Sequence, residues 1–118
     1  MNPETITVNS VNLELMLCTE VLKLNSLHYG YWKKNEELNL KNLRIAQKRY
    51  TDHLLKLIPK GTKSVLDVGA GIGDNSLALA TKGYNVISLS PDKNHKKYFG
   101  KYKDKNIKFL NVKFNGFL

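Results

Sequence analysis

The sequence predicts a small α/β protein in which N-terminal helices precede a βαβαβ unit of parallel strands. Three observations carry this. Apolar residues recur three to four apart up to Leu57, short apolar runs follow at Ser64–Val68, Tyr84–Leu89 and Ile107–Val112, and a glycine-rich turn joins the first run to a helical segment. Strand, tight turn, helix, strand, helix, strand at these lengths implies parallel pairing through right-handed crossovers. The division expected is a helical segment over 1–60 and the α/β part over 61–118.

The elements follow in order. From about Val11 to Leu24, Leu13, Leu17, Val21 and Leu24 lie at helical spacing, with Leu15 and Met16 on a second apolar face. The aromatic, glycine-containing run Leu27-His28-Tyr29-Gly30-Tyr31-Trp32 reads as a structured loop. A second helix spans roughly Leu38 to Leu57 on Leu40, Leu43, Ala46, Tyr50, Leu54 and Leu57, and Pro59 and Gly61 end it. Ser64–Val68 reads as a buried strand. Asn75–Thr81 is helical in composition, and Gly83 is suited to cap its C-terminus. Tyr84–Leu89 is a second strand, Asp92 to about Tyr102 a polar helix, and Ile107–Val112 a third strand.

At 118 residues this is one small domain at most, and its 42% hydrophobic content is ordinary for a folded protein. Nineteen Lys+Arg against ten Asp+Glu give a net charge of +9. Lys93, Lys96, Lys97, Lys101, Lys103, Lys105, Lys108 and Lys113 crowd the last quarter, opposed nearby only by Asp92 and Asp104. Arg44 and Arg49 are the only arginines, and arginine is the usual reader of phosphates and bases, so the lysines read as a solvated surface and nucleic acid is not the expected partner. Cys18 is alone and reads as a small core residue; it excludes a disulfide framework and a cysteine-built zinc site. The three histidines have no metal-ligand spacing, so no metal is expected, and His53 and His95 read as solvated surface positions. No apolar run approaches the ~20 residues of a membrane span. Met1–Ser10 lacks the pattern of a secretory signal, so the cytoplasm is the expected compartment.

The chemistry is concentrated in VLDVGAGIGDNSLALA. Gly69, Gly71 and Gly73 free the backbone at every second position where a strand turns into a helix N-terminus, a place where bare amides can approach a ligand. The dinucleotide fingerprint G-x-G-x-x-G has its third glycine one residue later, which disfavours NAD. Asp67, on the strand before the turn, suits the ammonium of a methionine tail. The spacing therefore argues for S-adenosylmethionine (SAM) as cofactor.

This stretch resembles motif I of the class I, Rossmann-like SAM-dependent methyltransferases, through Asp67-x-Gly69-x-Gly71-x-Gly73 after Val65-Leu66. The resemblance covers roughly Leu27 to Val112. It implies that Asp67, Gly69, Ala70, Gly71 and Gly73 bind the cofactor. The family's ribose-binding acidic residue at the end of the second strand falls on Ser90, a departure for which Asp92 is the candidate substitute. Near the adenine slot the sequence offers Lys113, Phe114 and Asn115, of which Asn115 can accept or donate. The loop His28-Tyr29-Gly30-Tyr31-Trp32 is similar to one in methyltransferases of the tocopherol and cyclopropane-fatty-acid-synthase kind. That likeness implies that Tyr31 and Trp32 close over the cofactor, a ring face favouring the sulfonium.

The family has more strands than the three predicted here, and its first strand is flanked on both sides. The spatial order 3-2-1 leaves that edge open, and Phe114, Phe117 and Leu118 stay apolar to the last residue. The expectation is a truncated or frameshifted product or half of a split protein, unstable alone, with a second chain as a possible partner completing the sheet. The function implied is the cofactor-binding part of a methyltransferase acting on a small-molecule or lipid acceptor, with its catalytic base outside this chain. The alternative is a basic interaction module on a degenerate methyltransferase scaffold, its lysines meeting nucleic acid or anionic lipid.

Overall fold

The computed structural model describes residues 7–8, 11–102 and 105–113. A two-residue antiparallel pair, β1 (Thr7–Val8) and β2 (Val11–Asn12), leads into α1 (Leu13–Met16), whose first turn is capped by the Asn12 side chain accepting from Leu15 N at 2.9 Å. The helix then widens into a π-helical turn over Leu17–Val21, closed by Leu22 N donating to Leu17 O at 2.9 Å. That turn corrects the expected Val11–Leu24 helix. An i→i+5 turn rotates later side chains off the 3.6-residue period; Leu15 and Leu24 are buried, whereas Leu13, Leu17 and Val21 are exposed.

The helix α2 (Leu40–Lys56) is capped by Asn39, which accepts from Asn42 N at 2.8 Å. Of its predicted stripe only Ala46 is fully buried; Leu40, Tyr50, Leu54 and Leu57 are exposed. What covers α2 is the aromatic loop. Gly30 lies so close that a Cβ there would sit 2.6 Å from the Ala46 carbonyl carbon, and its φ is +88°. Tyr31 N donates to Ala46 O at 2.8 Å, and the buried Gln47 amide donates to Ser26 O and His28 O. A side chain at position 30 is excluded by backbone, which is why this loop carries a glycine.

The strands β3 (Ser64–Val68), β4 (Asn85–Leu89) and β5 (Ile107–Leu110) form a parallel sheet in the order β3-β4-β5, the predicted arrangement. The register aligns Asp67 with Ser88 and Phe109, and Val68 with Leu89 and Leu110. The last strand stops two residues short of the predicted Val112. α3 (Asp74–Thr81) makes the first crossover, and Gly83, at φ +98°, ends it as expected.

The second crossover is a 3₁₀ helix over Lys93–Tyr102 rather than an α-helix. Its period eclipses side chains three apart, which aims Phe99 and Tyr102 together at the glycine turn. Both are buried with Ala70, flanked by Leu77, Ile107 and Phe109, and this is the core of the sheet's helical side. The expected burial of β3 is only half met. Val65 and Asp67 face the helical side and are partly buried, whereas Leu66, Val68 and neighbouring Ile87 are 39%, 48% and 39% exposed. Among the described residues no helix is long and apolar enough to cross a membrane.

Candidate functional site

The turn from Val68 to Asp74 runs through three left-handed glycines, with φ of +69° at Gly69, +59° at Gly71 and +92° at Gly73. They serve different purposes. A Cβ on Gly69 would meet nothing within 4 Å, and one on Gly71 would make only ordinary contact with Leu27 at 3.5 Å. Those two leave backbone open to an approaching group. A Cβ on Gly73 would lie 2.9 Å from the Phe99 ring and 3.0 Å from the Tyr102 ring, so the third glycine exists to seat the core. Ala70 belongs with it: its side chain is buried and its N–H donates to Leu89 O at 2.9 Å. α3 begins at Asp74 with no side-chain cap from Gly73, which leaves its first amides without intrahelical partners.

Beneath the open glycines lies a polar chain. Ser76 Oγ donates to Asp67 Oδ2 at 2.6 Å and is joined to Ser88 Oγ at 2.6 Å, both serines being fully buried. Burial raises the Asp67 pKa above the ordinary carboxylate value, only partly offset by the Ser76 hydroxyl, and the Asp74 charge pushes the same way. Asp74 itself is 3.2 Å from His28 Nε2. The loop thus reaches the glycine turn through Leu27 and His28.

At the end of β4 the two residues at the predicted ribose slot are joined. Ser90 is 1% exposed; its Oγ lies 2.6 Å from His95 Nδ1 and accepts from Asp92 N at 3.3 Å. Asp92 Oδ1 accepts from Asn94 N and Nδ2 at 2.8 and 2.9 Å, and Oδ2 accepts from Asn12 Nδ2 at 2.9 Å. Burial pushes the Asp92 pKa up, but these hydrogen bonds and nearby His95 outweigh it and leave it below the usual value. His95 corrects the expectation of a solvated surface residue. Its side chain is 14% exposed, its Nε2 stands 3.6 Å from Asp92 Oδ2, and burial lowers its pKa more than Asp92 raises it. The 3₁₀ turn is what folds it inward over Ser90.

Tyr31 is placed on α2, whereas Trp32 turns back on its own loop. The Tyr31 ring stacks on His53 with centroids 5.8 Å apart, and Trp32 Nε1 donates to Tyr29 O at 2.8 Å. His53 is exposed, as expected. Arg49 holds this corner by pairing with Glu36 at 2.9 Å and donating to Tyr31 O. Lys113 is exposed, whereas Phe114 and Asn115, named for the adenine slot, lie outside the described residues. Among the described residues no three His, Cys, Asp or Glu side chains group to hold a metal ion.

A family model described as "Tellurite resistance protein TehB" matches residues 31–115, most of the chain and all of this site from Tyr31 onward. The chain belongs to the TehB family. TehB is a SAM-dependent methyltransferase family, and its match fits the Rossmann-like unit built here around the glycine turn. Twelve chains of solved structures match as well. One is the crystal structure of the [4+2]-cyclase SpnF, with a TM-score of 0.62 at 17% identity over 90% of this chain. The present TehB-family chain spans 43% of the length of that protein. No curated protein sequence matches. The residues that sequence reasoning missed are His95, whose inward fold depends on a 3₁₀ rather than an α-helical phase, and His28, whose partner Asp74 is distant in sequence.

Proposed function

We propose that this chain binds SAM at the turn between β3 and α3, as the cofactor-binding part of a cytoplasmic enzyme that methylates a small-molecule or lipid acceptor. The observation that carries this reading is the coincidence of two glycines with open Cβ positions, Gly69 and Gly71, with the partly buried carboxylate of Asp67 in the strand leading into them. A carboxylate held above its usual pKa by burial lacks a cationic partner, and an ammonium supplies one. The family description points to the small-molecule branch of the reading, since tellurite is a small oxyanion. A shared fold does not fix the reaction, because SpnF is described as a cyclase; the residues at the turn are what favour SAM.

When bound, SAM would supply a sulfonium-bound methyl group that an acceptor nucleophile attacks in line, the C–S bond breaking and the sulfur leaving as the thioether of S-adenosylhomocysteine. The work of this chain is to bind and orient. Gly69 and Gly71 admit the cofactor to the backbone, Asp67 takes the ammonium, and Asp92, adjoining the occupied Ser90 hydroxyl, takes the ribose. Tyr31 and Trp32 cover the methionine end, the role that the narrower likeness implies for them. Rate acceleration then comes mainly from alignment.

Calorimetric titration with S-adenosylhomocysteine tests the reading. Gly71→Val and Asp67→Asn are each expected to weaken binding by about tenfold or more. Unchanged affinity in Gly71→Val contradicts the assigned turn.

A further inference from the structure

The contacts at the end of β4 raise the question of how Asp92 can take a ribose hydroxyl when its carboxylate is already so engaged. A carboxylate offers about four acceptor positions. Three are filled here, two on Oδ1 by the Asn94 backbone and side-chain amides and one on Oδ2 by the Asn12 amide. Oδ2 has one further position, and His95 Nε2 lies 3.6 Å from this oxygen, beyond hydrogen-bonding distance. The imidazole is held there from its other side by the 2.6 Å contact of Nδ1 with the buried Ser90 hydroxyl, and Ser90 is fixed in turn by Asn111 Nδ2 donating to its carbonyl at 2.9 Å. Ser90, His95 and Asp92 therefore form a short chain of contacts that ends on the last open acceptor of the proposed ribose contact.

We propose that His95 is a positioning residue whose protonation decides whether Asp92 is open to the cofactor ribose. This rests on the reading of the site given above. With His95 neutral, Ser90 O–H donates to Nδ1, and the Asp92 acceptor stays available across the long gap. In that tautomer the ring N–H already sits on Nε2, so a second proton enters at Nδ1, Ser90 Oγ turns from donor to acceptor, and the imidazolium charge draws Nε2–H onto Oδ2, filling the position that a ribose hydroxyl needs. Among the described residues the charged group acting on His95 is Asp92; the other groups that adjoin this pair, Ser90, Asn12 and Asn94, are uncharged. The coupling is reciprocal: a ligand that prefers neutral His95 must lower the His95 pKa by the same factor by which protonation weakens the ligand.

The test uses the whole chain. S-adenosylhomocysteine affinity is measured from about pH 8 down to about pH 5 in the unmodified protein and in His95→Gln, while ring ¹⁵N shifts follow the His95 tautomer and titration midpoint. The unmodified protein is expected to lose roughly five- to tenfold in affinity on acidification beyond any loss in His95→Gln, whose residual slope reports Asp67. Ligand is expected to move the His95 midpoint down, with Nδ1 unprotonated in the neutral form. Parallel pH profiles in the two proteins, or a midpoint that ligand leaves in place, overturn the proposal while the cofactor site stands. Absence of binding at every pH sinks both readings together.

Discussion

At the scale of single residues, the carboxylate of Asp67 separates stability from binding. Its folded pKa is raised above the ordinary 3.8. The sign follows: the stability it lends relative to a neutral side chain is fully present below that value and is lost as pH rises through the raised folded one. Asp67→Asn is therefore expected to melt at or above the temperature of the unmodified protein at neutral pH and to match it more closely in acid, while binding cofactor more weakly. A variant that loses both would mark Asp67 as a structural anchor. His95 runs the other way. Its folded pKa is lowered, so the stability it lends is present above about pH 6.5 and lost as pH falls through the folded value. Thermal melts of His95→Gln across that range should show a shallower acid limb. Asp67 was legible in the sequence because a strand residue beside a glycine turn has a fixed place in a βαβ unit. His95 was not, since its inward position depends on the helical phase of a lysine-rich segment whose composition reads as surface.

At the scale of elements, the glycine turn and the 3₁₀ helix are one packed unit. Gly73 at φ +92° admits the rings of Phe99 and Tyr102, whose centroids lie 5.9 Å apart edge to face. Gly73→Ala combines a strained backbone with ring overlap and should cost about 1–3 kcal/mol in urea denaturation. Phe99→Ala, which empties the same seat, should cost about 3–5 kcal/mol. If Gly73→Ala is neutral, the 3₁₀ helix does not seat on the turn as described. The strand and helix order was legible because the period-2 and period-3.6 patterns around Ser64–Leu89 are short, bounded by glycines and mutually consistent. The first helix was less so: Leu13, Leu17 and Val21 keep an α-helical spacing, but a π turn over Leu17–Val21 breaks the period and all three face solvent. The local sequence holds no residue that demands such a turn. The aromatic loop shows the same limit, since the need for glycine at position 30 comes from α2, sixteen residues on.

At the scale of the whole molecule, the sheet is covered on one side by α3 and the 3₁₀ helix, while Leu66, Val68 and Ile87 stay exposed on the other. β3 pairs only with β4 among the described residues, and an apolar strand with a free edge invites pairing with another chain. Val68→Lys should reduce self-association in sedimentation at no loss of melting temperature; an unfolded variant would mean that this face is covered in solution. The lysines of the 3₁₀ helix and β5 lie on exposed positions, among them Lys93, Lys96, Lys97, Lys101 and Lys108, which agrees with a solvated surface.

Bare backbone between Val68 and Asp74 is the surface proposed to receive the cofactor, and amide chemical-shift mapping during titration with S-adenosylhomocysteine reads that backbone directly. The largest shifts are expected at Gly69, Gly71 and the first amides of α3, with a second group at Ser90–Asp92. Shifts absent from the glycine turn, or confined to the lysine-bearing surface, would contradict that assignment.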